Sequence, residues 1–519
     1  MTRYKYQTYP YIPPPGLTAP EPRHTVIIVG AGPIGLAAAI DLATKGVACV
    51  VLDDNDQVSA GSRAICWSKR SLEILDRLGI GRRMVDKGVT WKIGRTFHGD
   101  REVFSFDLLP GTGHKMPAFV NLQQYYVEEY LIERVRDFPD LIDLRFRNRV
   151  TGVEPRDDGV TVSVETPDGA YDLETDWLIA CDGAKSPVRG MLDLEFGGEL
   201  FEERFLIADI EMEADFPSER WFWFEPTFHA GQSALLHKQP DDIYRIDLQL
   251  GENADPEEEK KPENVIPRIE KVVGGRRFRL DWVSVYTFQC RRLEHFVHGR
   301  VIFAGDSAHV VSPFGARGGN SGLQDVDNLG WKLAAVIRGV TGPALLDSYD
   351  RERTEAADEN IAASSRTTRF MSPAGSIEHM FRDSVLTLAG TTPFARFWAN
   401  SGRLSTPCTY TCSGPDDPRL PAVSRPGTVA PDAPIGLDWL VNRLGVVPVV
   451  LSFGTGVRVP DGVRKLMLEP DEILRERYLG HEEAATYLVR PDQVIAARWR
   501  DPSPDDIEDA VQRMWEGRP

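Results

Sequence analysis

The chain has 519 residues, 42% hydrophobic and 27% charged, with a formal net charge of −18 at pH 7. That length allows two or three domains and a sizeable core, and the acidic balance excludes nucleic acid or an anionic membrane as a partner, since both need a basic face. Six cysteines in such a length exclude a disulfide scaffold and make a cytoplasmic location the default. No metal site is expected, because Cys408 and Cys412 have no second Cys or His pair at zinc-ligand spacing.

In chain order, residues 1–24 are rich in proline and read as an extended surface tail, without the apolar stretch of a signal peptide. A buried strand, Val26 to Val29, then runs into Gly30-Ala31-Gly32-Pro33-Ile34-Gly35. In this GxGxxG turn the first glycine permits the tight turn, the second lets backbone approach a pyrophosphate, and the third lets the following helix lie against the strand. Pro33 suits the first helical turn, and the helix N-terminus faces the phosphates. Gly46 stops the helix, a second apolar strand follows, and Asp53 at its end is placed to accept the hydroxyls of an adenosine ribose.

Leu72, Leu75 and Leu78 mark a helix over 68–80, and a further helix is expected over Gln124–Arg136. Alternating runs with Asp-Gly turns at 158–159 and 168–169 predict a β-meander ending in the buried strand Trp177–Ala180. Residues 200–290 are strand-rich (RWFWFEP, SALLHKQ, IYRIDLQL), interrupted by a solvated loop at 252–264 that leads into a helix. In SALLHKQ, period two puts His237 and Gln239 on one face and Lys238 on the other. Trp221 and Trp223 likewise alternate with Phe222 and Phe224. At 301–304 a strand delivers Gly305-Asp306, and a glycine-rich loop (Gly315, Gly318, Gly319) leads into a helix over 320–339. A carboxylate at such a strand end can hold a ribityl chain. Backbone N–H groups at the helix start suit the anionic edge of a reduced flavin better than a nicotinamide. A proline-rich stretch follows residue 400, and a smaller α/β unit closes the chain.

Three motifs in this order, GAGPIG at 30–35, CDGAKSPVR at 181–189 and GDSAHVVSPFGARGGN at 305–320, resemble those of the FAD-dependent aromatic hydroxylases, the single-component flavoprotein monooxygenases. The resemblance implies an α/β fold: a Rossmann-like FAD-binding domain (25–190 and 291–400), an inserted mainly β substrate domain (191–290), and a linker with a thioredoxin-like C-terminal domain (401–519) lacking redox cysteines. It implies that Asp53 holds the adenosine ribose, Arg63 reaches the phosphates, Gln124 lies near the flavin, and Asp306 holds the ribityl chain. Asp182 and Arg189 belong to the motif credited with FAD and NAD(P)H contacts. Pro313 matches the proline beside the reacting ring, and Gly318, Gly319 and Asn320 the loop that meets the pyrimidine edge. Arg317 is open to two readings, a functional cation near the flavin or a solvent-facing side chain.

The implied cofactors are FAD, NADH or NADPH as a transient reductant, and O₂ as co-substrate. The implied chemistry is hydroxylation of a phenolic small molecule through a C4a-hydroperoxyflavin. His237 is a candidate to hydrogen-bond a phenol or take its proton, with Gln239 beside it. Epoxidation, Baeyer–Villiger insertion or halogenation are alternatives, the last because WFWFEP resembles a halogenase signature. A non-catalytic binding protein on the same fold is a further alternative, and a homodimer is allowed.

Overall fold

The computed structural model describes residues 4–61, 64–251, 254–373, 375–399, 404–412, 414–454 and 456–518. Two eight-stranded sheets organise most of it. The first has a parallel core in the spatial order Val301–Phe303, Gly169–Ala180, His24–Val29, Cys49–Asp53, Ile142–Phe146, with the antiparallel meander Arg149–Pro155 and Val160–Thr166 attached to one strand. Its central strands are apolar throughout because helices cover the sheet; Val26, Ile27 and Ile28 have no exposure. Helix Pro33–Thr44 buries nine residues, and helix Gly318–Ile337 packs beside it.

The second sheet runs in the order His309–Val310, Arg279–Arg292, Gly197–Glu211, Ile243–Leu250, Ser233–Lys238, Arg220–Phe224, Ile93–His98, Arg101–Asp107. It therefore draws strands 93–98 and 101–107 from outside the 191–290 stretch. These strands alternate too weakly for their partner to be read locally: Thr96 and Phe104 face each other, but only Arg220–Phe224, more than a hundred residues on, fixes their edge in parallel register. One face of the sheet carries Leu206, Ala208, Ile210, Leu236, Ile246 and Leu248, sealed by helix Pro262–Val273 through Val265, Ile269 and Val273. The opposite face carries the polar side chains and looks toward the first sheet's loops.

Residues 4–22 are held more firmly than an extended surface tail implies. Tyr4 stacks on Tyr125 at 4.0 Å, Tyr9 is 7% exposed and stacks on Phe146 at 4.8 Å, and the Tyr6 hydroxyl accepts from Gly61 N at 2.9 Å. Aromatic rings supply large burial per residue at low rotamer cost, so a proline-rich segment is pinned without regular structure. At the other end, residues 404–440 lead into a four-stranded sheet in the order Arg464–Leu468, Val449–Phe453, Ala485–Val489, Ile495–Trp499, backed by helix Pro504–Trp515. Arg490 joins this unit to the main body, donating to both carboxylate oxygens of Glu352 at 2.6 and 2.8 Å. No helix among the described residues is long and apolar enough to cross a membrane.

Candidate flavin and substrate site

The glycine turn behaves as its three positions require. Gly30 has φ +102°, and a Cβ there would lie 2.6 Å from the Cys181 carbonyl oxygen. A Cβ on Gly35 would lie 1.9 Å from the Gly30 carbonyl oxygen, so the helix packs against the turn only through glycine. A Cβ on Gly32 would meet nothing within 4 Å, leaving open space beside the helix N-terminus, where Pro33 and Ile34 begin the first turn. Asp53 closes the next strand. Its carboxylate accepts from Ala31 N at 2.5 Å and Asn55 N at 2.8 Å, while burial pushes the group up. Turn and acid are thus tied together, and their first-turn N–H groups and open space fit a nucleotide diphosphate.

Arg63 lies outside the described residues, but the loop flanking it is held from both sides. Ala64 N donates to Gln124 Oε1 at 3.1 Å, Gln124 Nε2 donates to Glu128 Oε1 at 2.8 Å, and Glu128 accepts from Ser59 N at 2.6 Å and Ser59 Oγ at 2.8 Å. Gln124 therefore sits at the expected loop as its anchor. Glu128, one helical turn on, is a partner that sequence reading missed.

Asp182 follows the strand next to Gly30; one oxygen accepts from Val188 N at 3.0 Å and the other is buried without a partner. Burial raises its carboxyl above the usual range. Arg189 turns inward to the protein, donating to the carbonyls of Ser307 at 3.0 Å and Ala184 at 2.8 Å and stacking over Phe196.

Gly305 (φ +68°) and Asp306 form a single 3₁₀ turn at the end of strand Val301–Phe303. A carboxylate that sequence reading missed fixes it: Asp325, fully buried, accepts from Gly305 N at 2.8 Å, from His309 Nε2 at 2.7 Å and from Arg353 Nε at 2.6 Å. Its neighbours His309 and Arg353 hold its carboxyl below the usual range against the burial penalty. The i, i+4 partners of Asp325 on its own helix give no hint of this role, since its partners arrive from a turn and from helix Leu345–Met371.

Helix Gly318–Ile337 starts at the glycine-rich loop, so the N–H groups of Gly318, Gly319 and Asn320 lie in its first turn, without a preceding carbonyl. The Asn320 side chain is engaged within the chain, accepting from Ser68 N at 2.9 Å and donating to Cys66 O at 2.8 Å. Pro313 is exposed at the loop's outer edge, while Phe314 is buried. Arg317 does not face solvent: it is 4% exposed and donates to Asn360 Oδ1 at 3.0 Å.

On the sheet, His237 and Gln239 share a face as period two requires, with Lys238 opposite; they are 4% and 1% exposed. Register places Arg220, His237, Arg245, Asp209 and Trp282 in one row across five strands of that face. Arg245 and Asp209 form a fully buried bidentate pair at 2.8 Å, and Gln239 donates to Asp209 at 3.2 Å. His237 Nδ1 lies 3.8 Å from Cys66 Sγ. Burial, with Arg220 and Arg245 on either side, holds the imidazole well below its usual value, so it is neutral at pH 7. The next row contains Phe222, Leu235 and Asp247. Trp221 and Trp223 point the other way, against Phe97 and Phe216.

A strand–glycine turn–helix–acid unit, a second acidic turn and a helix N-terminus converging between two sheets define a flavin-binding protein of the dinucleotide class. Comparison with known proteins agrees. The FAD binding domain family model matches residues 23–364. A flavin-dependent monooxygenase from Mycobacteroides abscessus is 34% identical over 349 residues, 64% of this chain and 72% of that protein. A 3-(3-hydroxy-phenyl)propionate/3-hydroxycinnamic acid hydroxylase from Mycolicibacterium smegmatis is 28% identical, over 71% of this chain and 65% of its own length. In fold, the chain is similar to the flavin-dependent monooxygenase PieE solved with FAD and substrate, with a TM-score of 0.80 and 22% identity over 96% of this chain and 100% of that one. The protein belongs to the FAD-dependent monooxygenases.

Proposed function

We propose that this chain hydroxylates a phenolic small molecule at the expense of NAD(P)H and O₂. The observation that supports the reading is that the 305–320 loop, through Phe314, packs with Phe205, Phe222 and Phe224 on the polar face of the second sheet, beside a row of buried ionisable groups that Cys66 approaches at 3.8 Å from His237. When bound, FAD would supply the redox chemistry, taking reducing equivalents from NAD(P)H and passing them to O₂ for transfer of one oxygen atom.

The chain supplies the rest. Gly30, Gly32, Pro33, Ile34, Gly35 and Asp53 would hold the adenosine diphosphate end, and Asp306 the ribityl chain, with Asp182 at the turn between them. The first turn at Gly318–Asn320 would face the pyrimidine edge, where a helix N-terminus favours negative charge. Pro313 would sit against the reacting ring. The aromatic cluster excludes water from the substrate, which limits unproductive loss of reducing equivalents as hydrogen peroxide. His237, a weak proton acceptor because burial and the flanking arginines hold it well below its usual value, serves as a hydrogen-bonding group. The tryptophans of WFWFEP pack into the far side of the sheet, which supports oxygenation over halogenation.

The test is a screen of phenols against the FAD-loaded protein, following stimulated NAD(P)H oxidation and product mass. A product heavier by one oxygen atom is expected. Oxidation of NAD(P)H that no aromatic compound stimulates contradicts the proposal. Asp306→Ala should leave the purified protein with little flavin, read from its visible absorbance; retention of FAD at the parent's level removes the ribityl role.

A further inference from the structure

Two side chains on the polar face have no partner. Among the described residues, Arg220 makes no hydrogen bond or ion pair, and its Nε is buried. Asp247 likewise makes none, and its Oδ1 is buried. Among the described residues their neighbours are otherwise engaged: Arg245 and Asp209 bind each other, and the Cys66 thiol donates to Asn121 Oδ1 at 3.2 Å. Both unpaired residues sit in mid-sheet yet remain partly accessible, while Leu235, between Phe222 and Asp247, is 1% exposed. An interior cation and an interior carboxylate left apart are each costly, and a native fold keeps such groups where a ligand completes them.

The register fixes their relation. Arg220 opposes His237, His237 opposes Arg245, and Asp247 is two positions along the Arg245 strand, on the same face. One group can only donate and the other, when ionised, can only accept. A single hydroxyl can serve both, donating its proton to the carboxylate and accepting from the guanidinium. A carboxylate ligand would answer Arg220 but repel Asp247.

We infer that Arg220 and Asp247 bind the hydroxyl of a phenol and that Asp247 takes its proton. The O–H bond of the phenol breaks, a new O–H bond forms on the Asp247 carboxylate, and the electron pair stays on the phenol oxygen against Arg220. Nothing is oxidised or reduced in this step; it makes the ring electron-rich for the oxygen transfer that follows. The inference rests on the proposed hydroxylase reading and assigns to Asp247 the role that the sequence offered to His237. The groups facing Asp247 are Arg220, Arg245 and Asp209; burial and Asp209 raise its carboxyl, the two arginines oppose this, and the balance is about 6. His237 and Cys66 lie beside Arg220.

The probe is 4-nitrophenol, whose phenolate is coloured, added to FAD-loaded protein and followed by difference spectra from about pH 5 to about pH 9. The parent should bind it as phenolate at pH values where the free probe is colourless, with affinity falling as pH drops through about 6. In Asp247→Asn, affinity should instead track the probe's own ionisation, and Asp247→Glu should restore the parent profile. In Arg220→Gln the bound probe should stay colourless, with colour regained in Arg220→Lys. A parent protein that binds no probe, an Asp247→Asn profile of unchanged shape, or phenolate colour persisting in Arg220→Gln overturns the inference. Flavin content is measured first: protein without FAD refutes the hydroxylase reading, whereas a flavin-loaded protein that oxygenates phenols with these profiles unmoved refutes only the roles of Arg220 and Asp247.

Discussion

At the scale of single residues, the site is built from charges whose pairing decides their use. Arg245 is neutralised by Asp209 in a bidentate pair and so serves the architecture. Asp247, unpaired, keeps its proton up to about 6 instead of the usual 3.8. The folded chain therefore binds this proton more tightly than the unfolded one. The resulting stability is fully present below pH 3.8 and is lost as pH rises through about 6. Asp247→Asn removes that loss. In the absence of phenol, chemical denaturation should show the variant gaining on the parent between about pH 4 and about pH 8, by up to about 2 kcal/mol given the group's partial exposure. An equal difference at both pH values contradicts this account.

The elements show how much of this was legible in the chain. The glycine turn could be read because its constraints are local: Gly30 and Gly35 are demanded by backbone atoms a few residues away or on the adjacent strand. Helices Lys69–Arg77, Gln124–Val135 and Gly318–Ile337 follow their apolar spacing closely, since each packs against neighbouring helices. Period two correctly placed His237 with Gln239. It could not place Arg220 or Asp247 beside them, because which strands pair, and in what register, is set across the sheet by non-local contacts. Asp325 escaped for the same reason. It is the centre on which the Gly305–Ser307 turn rests, so Asp325→Asn should weaken FAD retention as well as stability. Leaving Arg353 buried without its carboxylate should cost about 3–5 kcal/mol in denaturant unfolding. Normal stability with normal flavin content in that variant contradicts a supporting role.

Across the whole molecule, the C-terminal unit is fastened to the flavin domain by buried charges as well as by apolar contact. Glu352 accepts from Arg490 and from Lys332 Nζ at 2.9 Å, Arg70 donates to the Asp492 carbonyl at 2.7 Å, and the Glu352 carboxyl is held far below its usual range by Arg490 and Lys332 despite burial. Helix Leu345–Met371 carries both Glu352 and Arg353, and so links this junction to Asp325 and the Gly305 turn. Arg490→Met should loosen the junction by about 3 kcal/mol or more, because Glu352 and Lys332 lose a member of their network. Limited proteolysis should then cut faster in the proline-rich connection at 414–433, and an unchanged rate would count against this fastening.

The central claim is that the two sheets enclose a flavin and a phenol together, so that oxygen from O₂ reaches the ring. It is tested most directly by turning over the FAD-loaded protein with NAD(P)H, a phenol that stimulates oxidation, and ¹⁸O₂. The product should carry one ¹⁸O atom. NAD(P)H consumed with all of the label recovered as hydrogen peroxide, whichever phenol is supplied, contradicts it.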